Sequence, residues 1–223
     1  MDEERKLNLN TIDTDTLTRL LGSLIDFDAK EVKKDALVSL VASIADWRDE
    51  DNDRREGGAE KFEYMVLKKS YECKNGPFES LEELLLVKGM TPRILKTVRP
   101  YLTVYSSGKV NLNTAPAPVL RALGLSETAV SGILAFRTGQ DGELGTEDDG
   151  VLANIKAITA ELGAFFPAED GNRIAQLLKE DLLSIDSETF SFTSEGRLDS
   201  YAYSTQIDVI MKRDGEIVSW QEK

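Results

Sequence analysis

The chain contains no histidine. That removes imidazole bases, the Ser-His-Asp arrangement and every histidine-ligated metal site. Cys73 is the only cysteine, so neither an internal disulfide nor a thiolate zinc site can form. One free thiol suits a reducing compartment, and a periplasmic protein can carry one as well. No apolar run reaches the roughly 20 residues of a membrane-spanning helix, and no signal peptide is visible. Basic residues are outnumbered, 27 Lys and Arg against 40 Asp and Glu, for a formal charge of −13. That balance argues against general affinity for nucleic acid or an anionic membrane and suits cations or basic partner surfaces. No Gly-x-Ser-x-Gly elbow, phosphate loop or Gly-x-Gly-x-x-Gly is present, and no catalytic residue is assigned. The 223 residues suffice for one large domain or two small ones with real cores.

What the chain has in abundance is carboxylate, concentrated in two stretches. From Asp46 to Glu60, Asp49, Asp51 and Asp53 alternate, and Glu60 falls at position 12 if Asp49 is position 1. Those are oxygen-ligand positions of a helix–loop–helix calcium motif. Position 6, which needs Gly for its sharp turn, is Arg54, so the match is partial. Crowded carboxylates repel, and either a divalent ion or plain solvation relieves them. A second stretch, Gln140 to Gly150, carries Asp141, Glu143, Asp148 and Asp149 among three glycines that let the backbone fold tightly. The candidate calcium ligands are therefore Asp49, Asp51, Asp53 and Glu60 in the first loop, and Asp141, Glu143, Asp148 and Asp149 in the second.

Around these loops the pattern is mainly helical. Lys6 to Thr11 alternates like a short strand, and Thr14 or Asp15 can cap a helix through Leu17, Leu20, Leu21 and Leu24. Val32, Ala36, Leu37, Leu40, Val41, Ile44 and Ala45 recur at helical spacing over Asp28 to Asp46, with Trp47 as a core anchor. Ser80 and Glu83 form a capping box, and Thr91-Pro92 opens another helix with Thr as cap and Pro at its first position. A strand follows over Pro100 to Tyr105. Lys109-Val110-Asn111-Leu112-Asn113-Thr114 then nearly repeats Lys6 to Thr11, and both copies lead into Leu-rich helices. Ser126 caps a helix to Arg137, and helical stretches are expected at Leu152 to Leu162 and Asn172 to Leu182. The last quarter changes period: Leu183 to Thr193, Tyr201 to Met211 and Glu216 to Trp220 alternate, with a hairpin turn at Arg213-Asp214-Gly215.

Two other function classes compete on the residues alone. Lys88-Gly89-Met90 and Leu123-Gly124-Leu125 sit between short helices as in a helix–hairpin–helix nucleic-acid-binding module, but each has one glycine and few basic neighbours. A carboxylate-based hydrolase would need two acids facing across a cleft, whereas here the acids bunch in loops.

Several stretches together resemble the large minor pseudopilin of bacterial type II secretion, the general secretion pathway protein K family. They are Leu7-Asn8-Leu9-Asn10-Thr11, Asp46-Trp47 with Asp51, Gly58-Ala59-Glu60 with Tyr64, and Asn75-Gly76-Pro77-Phe78. The run from Ser80 to Pro92 is the most specific, and Pro100-Tyr101 and Val110 to Ala115 complete the set. The resemblance covers roughly residues 6 to 137. It implies an α+β fold, a pilin-like antiparallel sheet with a large inserted α-helical domain. On that reading residues 1–12 and 183–223 form the sheet domain, and residues 13–182 the inserted domain with both acidic loops, 46–60 and 140–150. It also implies a non-enzymatic protein at the pseudopilus tip, partnered by I-type and J-type minor pseudopilins and other pseudopilus subunits, and helping to start assembly. Family members lie in the periplasm, anchored in the inner membrane by an N-terminal helix. That long apolar helix is missing here, so anchoring is not read from this chain. Calcium-bound members of the family favour calcium as a structural ion, with Asp49, Asp51 and Glu60 carried over by motif position.

Overall fold

The computed structural model describes residues 1–25, 34–158, 167–198 and 203–222. The echo seen in the sequence becomes a structural repeat. In the first copy, strand β1 (Leu7–Asn8) is followed by helices α1 (Thr14–Leu24) and α2 (Lys34–Arg48), the first acidic loop, and the short α3 (Lys61–Met65). A 3-10 turn at Leu81–Leu86 and helix α4 (Pro92–Val98) lead into β2 (Leu102–Thr103), which pairs parallel with β1. In the second copy, β3 (Val110–Asn111) leads through α5 (Ala117–Ala122) and α6 (Glu127–Arg137) into the second acidic loop. A 3-10 turn at Ile155–Ala157 and helix α7 (Ala168–Lys179) then reach β4 (Leu183–Ser184), again parallel to the opening strand.

The same residues do the same work in both copies. The Asn10 side chain accepts from the Phe78 amide (2.7 Å) and donates to its carbonyl (3.0 Å). Asn113 treats Leu152 identically, at 2.9 and 3.0 Å. A primary amide matches a peptide group donor for donor, so each Asn clamps the irregular segment that follows its acidic loop. Arg48 ends α2 and donates to the carbonyls of Leu9 and Ile12; Arg137 ends α6 and donates to the carbonyl of Ala115 (2.6 Å). Burial lowers the pKa of both guanidinium groups, yet both stay charged because arginine starts so high. Leu9 and Leu112, the matching apolar residues, are fully buried, a gain of about 1.5–3 kcal/mol each. One hydrophobic core, from Leu7 to Leu183, runs through both copies.

Local chemistry explains several boundaries. Thr91 caps α4 through the Ile94 amide with Pro92 at the first position, and Ser126 caps α6 through the Ala129 amide. The Ser80–Glu83 capping box is present, although it opens a 3-10 turn instead of an α-helix. Helix α7 begins at Ala168, earlier than periodicity indicated, because Glu169 and Asp170 favour a first turn that apolar spacing does not register. The expected helix from Asp28 is described only from Lys34; of the expected Leu152–Leu162 helix, Leu152 to Asn154 are irregular and Ile155–Ala157 form a 3-10 turn, while residues 159–162 lie outside the described residues.

The remaining sheet is antiparallel, in the order β5 (Thr189–Leu198), β6 (Tyr203–Lys212), β7 (Ile217–Glu222). The β6–β7 hairpin turns at Gly215, whose φ of 94° requires glycine. Leu7–Asn8 and Leu183–Ser184, expected with this sheet, pair within the helical body instead. The alternation over Leu183–Thr193 is thus two strands of different sheets, which period alone does not separate. The chain start runs beside β5: Asp2 bridges to Phe190, the Glu3 amide donates to the Thr189 carbonyl (2.9 Å) and the Ser191 amide to the Met1 carbonyl (2.7 Å). The register puts Phe192, Val209 and Trp220 in one row on one sheet face, with Phe192 45% and Trp220 56% exposed. The opposite face, with Ser191, Asp208 and Ser219, looks onto the helical body across a cleft of about 550 Å³. The protein is α+β.

Candidate metal centre

Asp46 occupies the last turn of α2 and is fully buried. The helix ends two residues later, and the loop doubles back so that Glu60, immediately before α3, returns to the same spot. Gly58 makes that return feasible, since a Cβ there would overlap Asp46 Oδ2. Trp47 and Tyr64 pack edge to face beneath the site with ring centroids 5.2 Å apart, and Tyr71 stacks on Tyr64 at 5.3 Å. A rigid aromatic floor therefore fixes both ends of the acidic loop.

Asp49, Asp51 and Glu60 converge, with one oxygen from each lying within 4.8 Å of the others. A calcium ion holds its oxygens at about 2.3–2.6 Å, so ligands on opposite sides of it stand about 5 Å apart. The spacing therefore suits a cation between them. Glu60 is only 4% exposed, and neither of its carboxylate oxygens makes a hydrogen bond of good geometry. Asp46 Oδ2 and Asp49 Oδ1 are buried and unpartnered too. Buried polar atoms are nearly always satisfied, and four orphan oxygens in one place fit a cation as their common partner. Burial, with the nearby charges of Asp46 and Asp49, pushes the Glu60 carboxyl up to about 7. Beside it, burial pushes the Cys73 thiol up to about 11, so the sulfur is a neutral neighbour at physiological pH.

One positive charge already serves the cluster. Arg55 donates to Asp46 Oδ1 (2.8 Å) and to Asp49 Oδ2, and these bonds raise its own pKa. Its neighbour Arg54 turns outward to Glu63 (3.3 Å). Arg54 at position 6 therefore does no harm, because the loop does not follow the helix–loop–helix course that would demand glycine there.

Of the first-loop candidates, Asp53 does not join the cluster. Its amide donates to Asp51 Oδ1 (2.7 Å), and that tight turn leaves its side chain exposed. The sequence reading missed Asp46, whose signal is an acid embedded in the apolar periodicity of α2. It also missed Asn75, which donates to the Asp51 carbonyl and to Asn52 Oδ1 (3.2 Å) and so ties a following segment to the loop.

The second loop occupies the matching place after α6 but is built differently. Asp148 Oδ2 accepts from the amides of Gln140 and Asp141, and its Oδ1 from the Thr146 hydroxyl (2.8 Å). That hydroxyl and those amides hold the Asp148 carboxyl below its ordinary range. Asp149 accepts from Gly145 (2.6 Å) and Asp141 from Glu143 (2.8 Å). The carboxylates of Asp141, Asp148 and Asp149 are thus engaged with their own loop, Glu143 takes part through its backbone, and among the described residues the four form no converging group like that of Asp49, Asp51 and Glu60.

Neither rival class finds its site. Gly89 and Gly124 adopt positive φ, as a helix–hairpin–helix turn would. At the second hairpin, however, the amide and hydroxyl of Ser126 already hold the Asp170 carboxylate, where a phosphate would have to sit. A cleft of about 690 Å³ does contain Asp13, but Thr16 engages both of its oxygens. Burial raises the Asp13 carboxyl and the Thr16 hydrogen bonds outweigh that, giving a net lowered pKa unsuited to a general acid.

The comparisons now fall into place. A family model for the first domain of type II secretion system protein K matches residues 5–107, the whole first repeat with the acid cluster inside it. Residues 5–107 are a type II secretion protein K domain. A type II secretion system protein K from Pseudomonas aeruginosa is 31% identical over 94 residues, 41% of this chain. The chain spans 28% of that relative's length. In three dimensions the likeness extends to the whole chain. It superimposes with a TM-score of 0.72, at 18% identity, on a chain of the GspK-GspI-GspJ complex from the type 2 secretion system of enterotoxigenic Escherichia coli. All of this chain and 77% of that one are covered, so the protein K fold includes the second repeat and the three-stranded sheet. No described helix is long and apolar enough to cross a membrane.

Proposed function

We propose that the protein is a non-enzymatic minor pseudopilin of type II secretion, acting on the periplasmic side at the pseudopilus tip with I-type and J-type partners. The observation that carries this is the whole-chain likeness to a structure whose name joins three such proteins, added to the protein K match over the first repeat. The sheet supports it. In the row Phe192, Val209 and Trp220, Val209 is buried while the two flanking side chains are about half exposed, and a pseudopilin helix laid across them would bury that apolar surface. The helical body, attached beyond the sheet, would obstruct a further subunit stacking above, which is what a tip requires. Mixing the chain with I-type and J-type pseudopilins should give a 1:1:1 complex by light scattering. Failure to associate across varied salt and calcium would overturn the assignment.

A calcium ion in the first loop belongs to the same proposal. Asp49, Asp51 and Glu60 would ligate it, with Asp46 adjacent, and the ion would neutralise the cluster and fix the chain between α2 and α3. Its role would be structural, since both loop ends are already anchored on the aromatic floor. Melting in chelator and in excess calcium is the test, because a ligand bound only by the folded state raises the transition with its concentration.

A further inference from the structure

A cavity of about 690 Å³ lies on the seam between the two repeats, away from the acidic loops and the sheet. Its apolar lining comes from both copies, Leu7 and Ile12 from the first and Val110 and Leu123 from the second. Two arginines converge there. Arg19 of α1 donates through Nε to the carbonyl of Ala122, and Arg173 of α7 through Nε to the carbonyl of Leu123, each at 2.7 Å. Those are successive carbonyls at the C-terminal end of α5, so two guanidinium groups stand side by side on one helix end. Gly124 admits the second, because a Cβ there would come within 3.1 Å of Arg173 Nε.

Capping a six-residue helix needs one cation at most and uses only the Nε edge of each side chain. Arg19 has one further bond, from Nη2 to the Thr16 hydroxyl at 2.8 Å. Neither arginine has an ion-pair partner among the described residues, in a chain with 13 surplus negative charges. Of the acids that also line the cavity, Asp13, whose charge interacts with Arg19, accepts from Thr16, Glu180 accepts from Gln176 at 2.8 Å, and Asp15 stands beside them. Two cations with donors beyond those spent on the helix end, in a cavity that Leu7, Ile12, Val110 and Leu123 also line, supply the elements of a carboxylate site.

We propose that this cleft binds a monocarboxylate carried on a short apolar stem. The carboxylate would bridge the free edges of Arg19 and Arg173 while the stem lies on Leu7, Ile12 and Val110. Asp13, Asp15 and Glu180 on the rim repel more highly charged anions, so phosphate is disfavoured. The same chemistry occurs in a free short-chain acid and in the carboxyl end of an apolar peptide.

The experiment is nitrogen-15 NMR of the whole chain, following the arginine Nε–H and backbone amide signals. It is titrated with hexanoate, with acetyl-Ala-Leu-Leu bearing a free carboxyl end, and with inorganic phosphate. Hexanamide and the amidated peptide serve as controls. Saturable shifts at Arg19, Gly124 and Arg173 are expected with at least one carboxylate, with a dissociation constant on the order of 1 mM. The amides and phosphate should give none. Arg19→Lys with Arg173→Lys keeps both charges and a donor for the helix end but removes the forks, and should weaken binding at least tenfold while circular dichroism is unchanged. Tighter binding of the peptide identifies a protein segment as the ligand, and tighter binding of hexanoate a small acid. The proposal is overturned by the absence of saturation up to 20-fold above that constant, by equal binding of the amides, or by a folded lysine variant that binds as before.

Discussion

Ser126 and Asp170 are joined by two hydrogen bonds, amide to Oδ1 at 2.8 Å and hydroxyl to Oδ2 at 2.6 Å, across 44 positions of chain. A hairpin shaped for an anion is thereby closed by an anion from the same molecule, and α7 is fastened to the start of α6. Asp170→Asn should lower stability by about 1–2 kcal/mol, read from urea unfolding, because the acceptor for the Ser126 hydroxyl becomes a donor and the charge that strengthens both bonds is lost. Neither the parent protein nor this variant should retard duplex DNA at low salt. Retardation that fades as salt rises would restore the nucleic-acid reading.

On the proposed calcium reading, chelation should expose the cost of charging buried Glu60. Its folded pKa is raised to about 7 from 4.5, so between those values the folded, ion-free state holds a proton that the unfolded state has lost. Stability of the chelated protein should therefore fall as pH rises from about 4.5 to 7, then level off. With calcium bound the trend should reverse, since the ion competes with that proton and affinity rises with pH. Calorimetric melting at pH 5 and 8, with chelator and with excess calcium, reads both slopes. Glu60→Gln should flatten the chelated profile and abolish the calcium-induced rise.

Gly58→Ala tests the close approach of the loop to α2. The added methyl collides with Asp46 Oδ2, so either the carboxylate or the loop must shift. A loss of about 1–3 kcal/mol is expected, a fall of roughly 2–4 °C in melting temperature for each kcal/mol at this chain length. Gly142→Ala, where nothing lies within 4 Å but φ is 75°, is the control for backbone strain alone, and should cost less than Gly58→Ala.

Asn10→Ala and Asn113→Ala should behave alike. Each deletes a paired contact with a buried residue after the acidic loop and leaves a peptide group unsatisfied, at a cost of about 1–3 kcal/mol by urea unfolding. The aspartate variants at the same positions keep the acceptor and lose the donor, and should be no better than alanine. A large effect at one position and none at the other would show that the two copies are not mechanically equivalent.

Much of this was readable from the chain. The duplicated Val/Leu-Asn-Leu-Asn-Thr motif, the Ser126 and Thr91 caps, the Ser80–Glu83 box and the Gly215 hairpin are local features, and local chemistry decides them. Asp49, Asp51 and Glu60 were legible because their spacing is a ligand pattern. Asp53 was misplaced because alternation counts residues, while the Asp51 turn decides which side chains face inward. Asp46 was hidden by its setting, an acid inside a helix whose other inward residues, Ser43 apart, are apolar. The second loop misled for the opposite reason: acidic density does not tell whether the carboxylates face an ion or their own backbone amides. The parallel pairs Leu7 with Leu102 and Val110 with Leu183 were invisible, since two-residue strands carry no period.

Those two parallel pairs set a schedule for folding. Leu7 has no strand partner until Leu102 exists, and Val110 none until Leu183. Glu4 accepts from the amides of Glu188 and Thr189, the latter 185 positions away. Each repeat can collapse only after its own last helix is made, and the opening residues settle only once the second repeat is closed. Such long-range closure slows folding, because loop entropy is lost before contacts repay it. On the ribosome or emerging from a membrane pore, the first four residues would be the last to find their places.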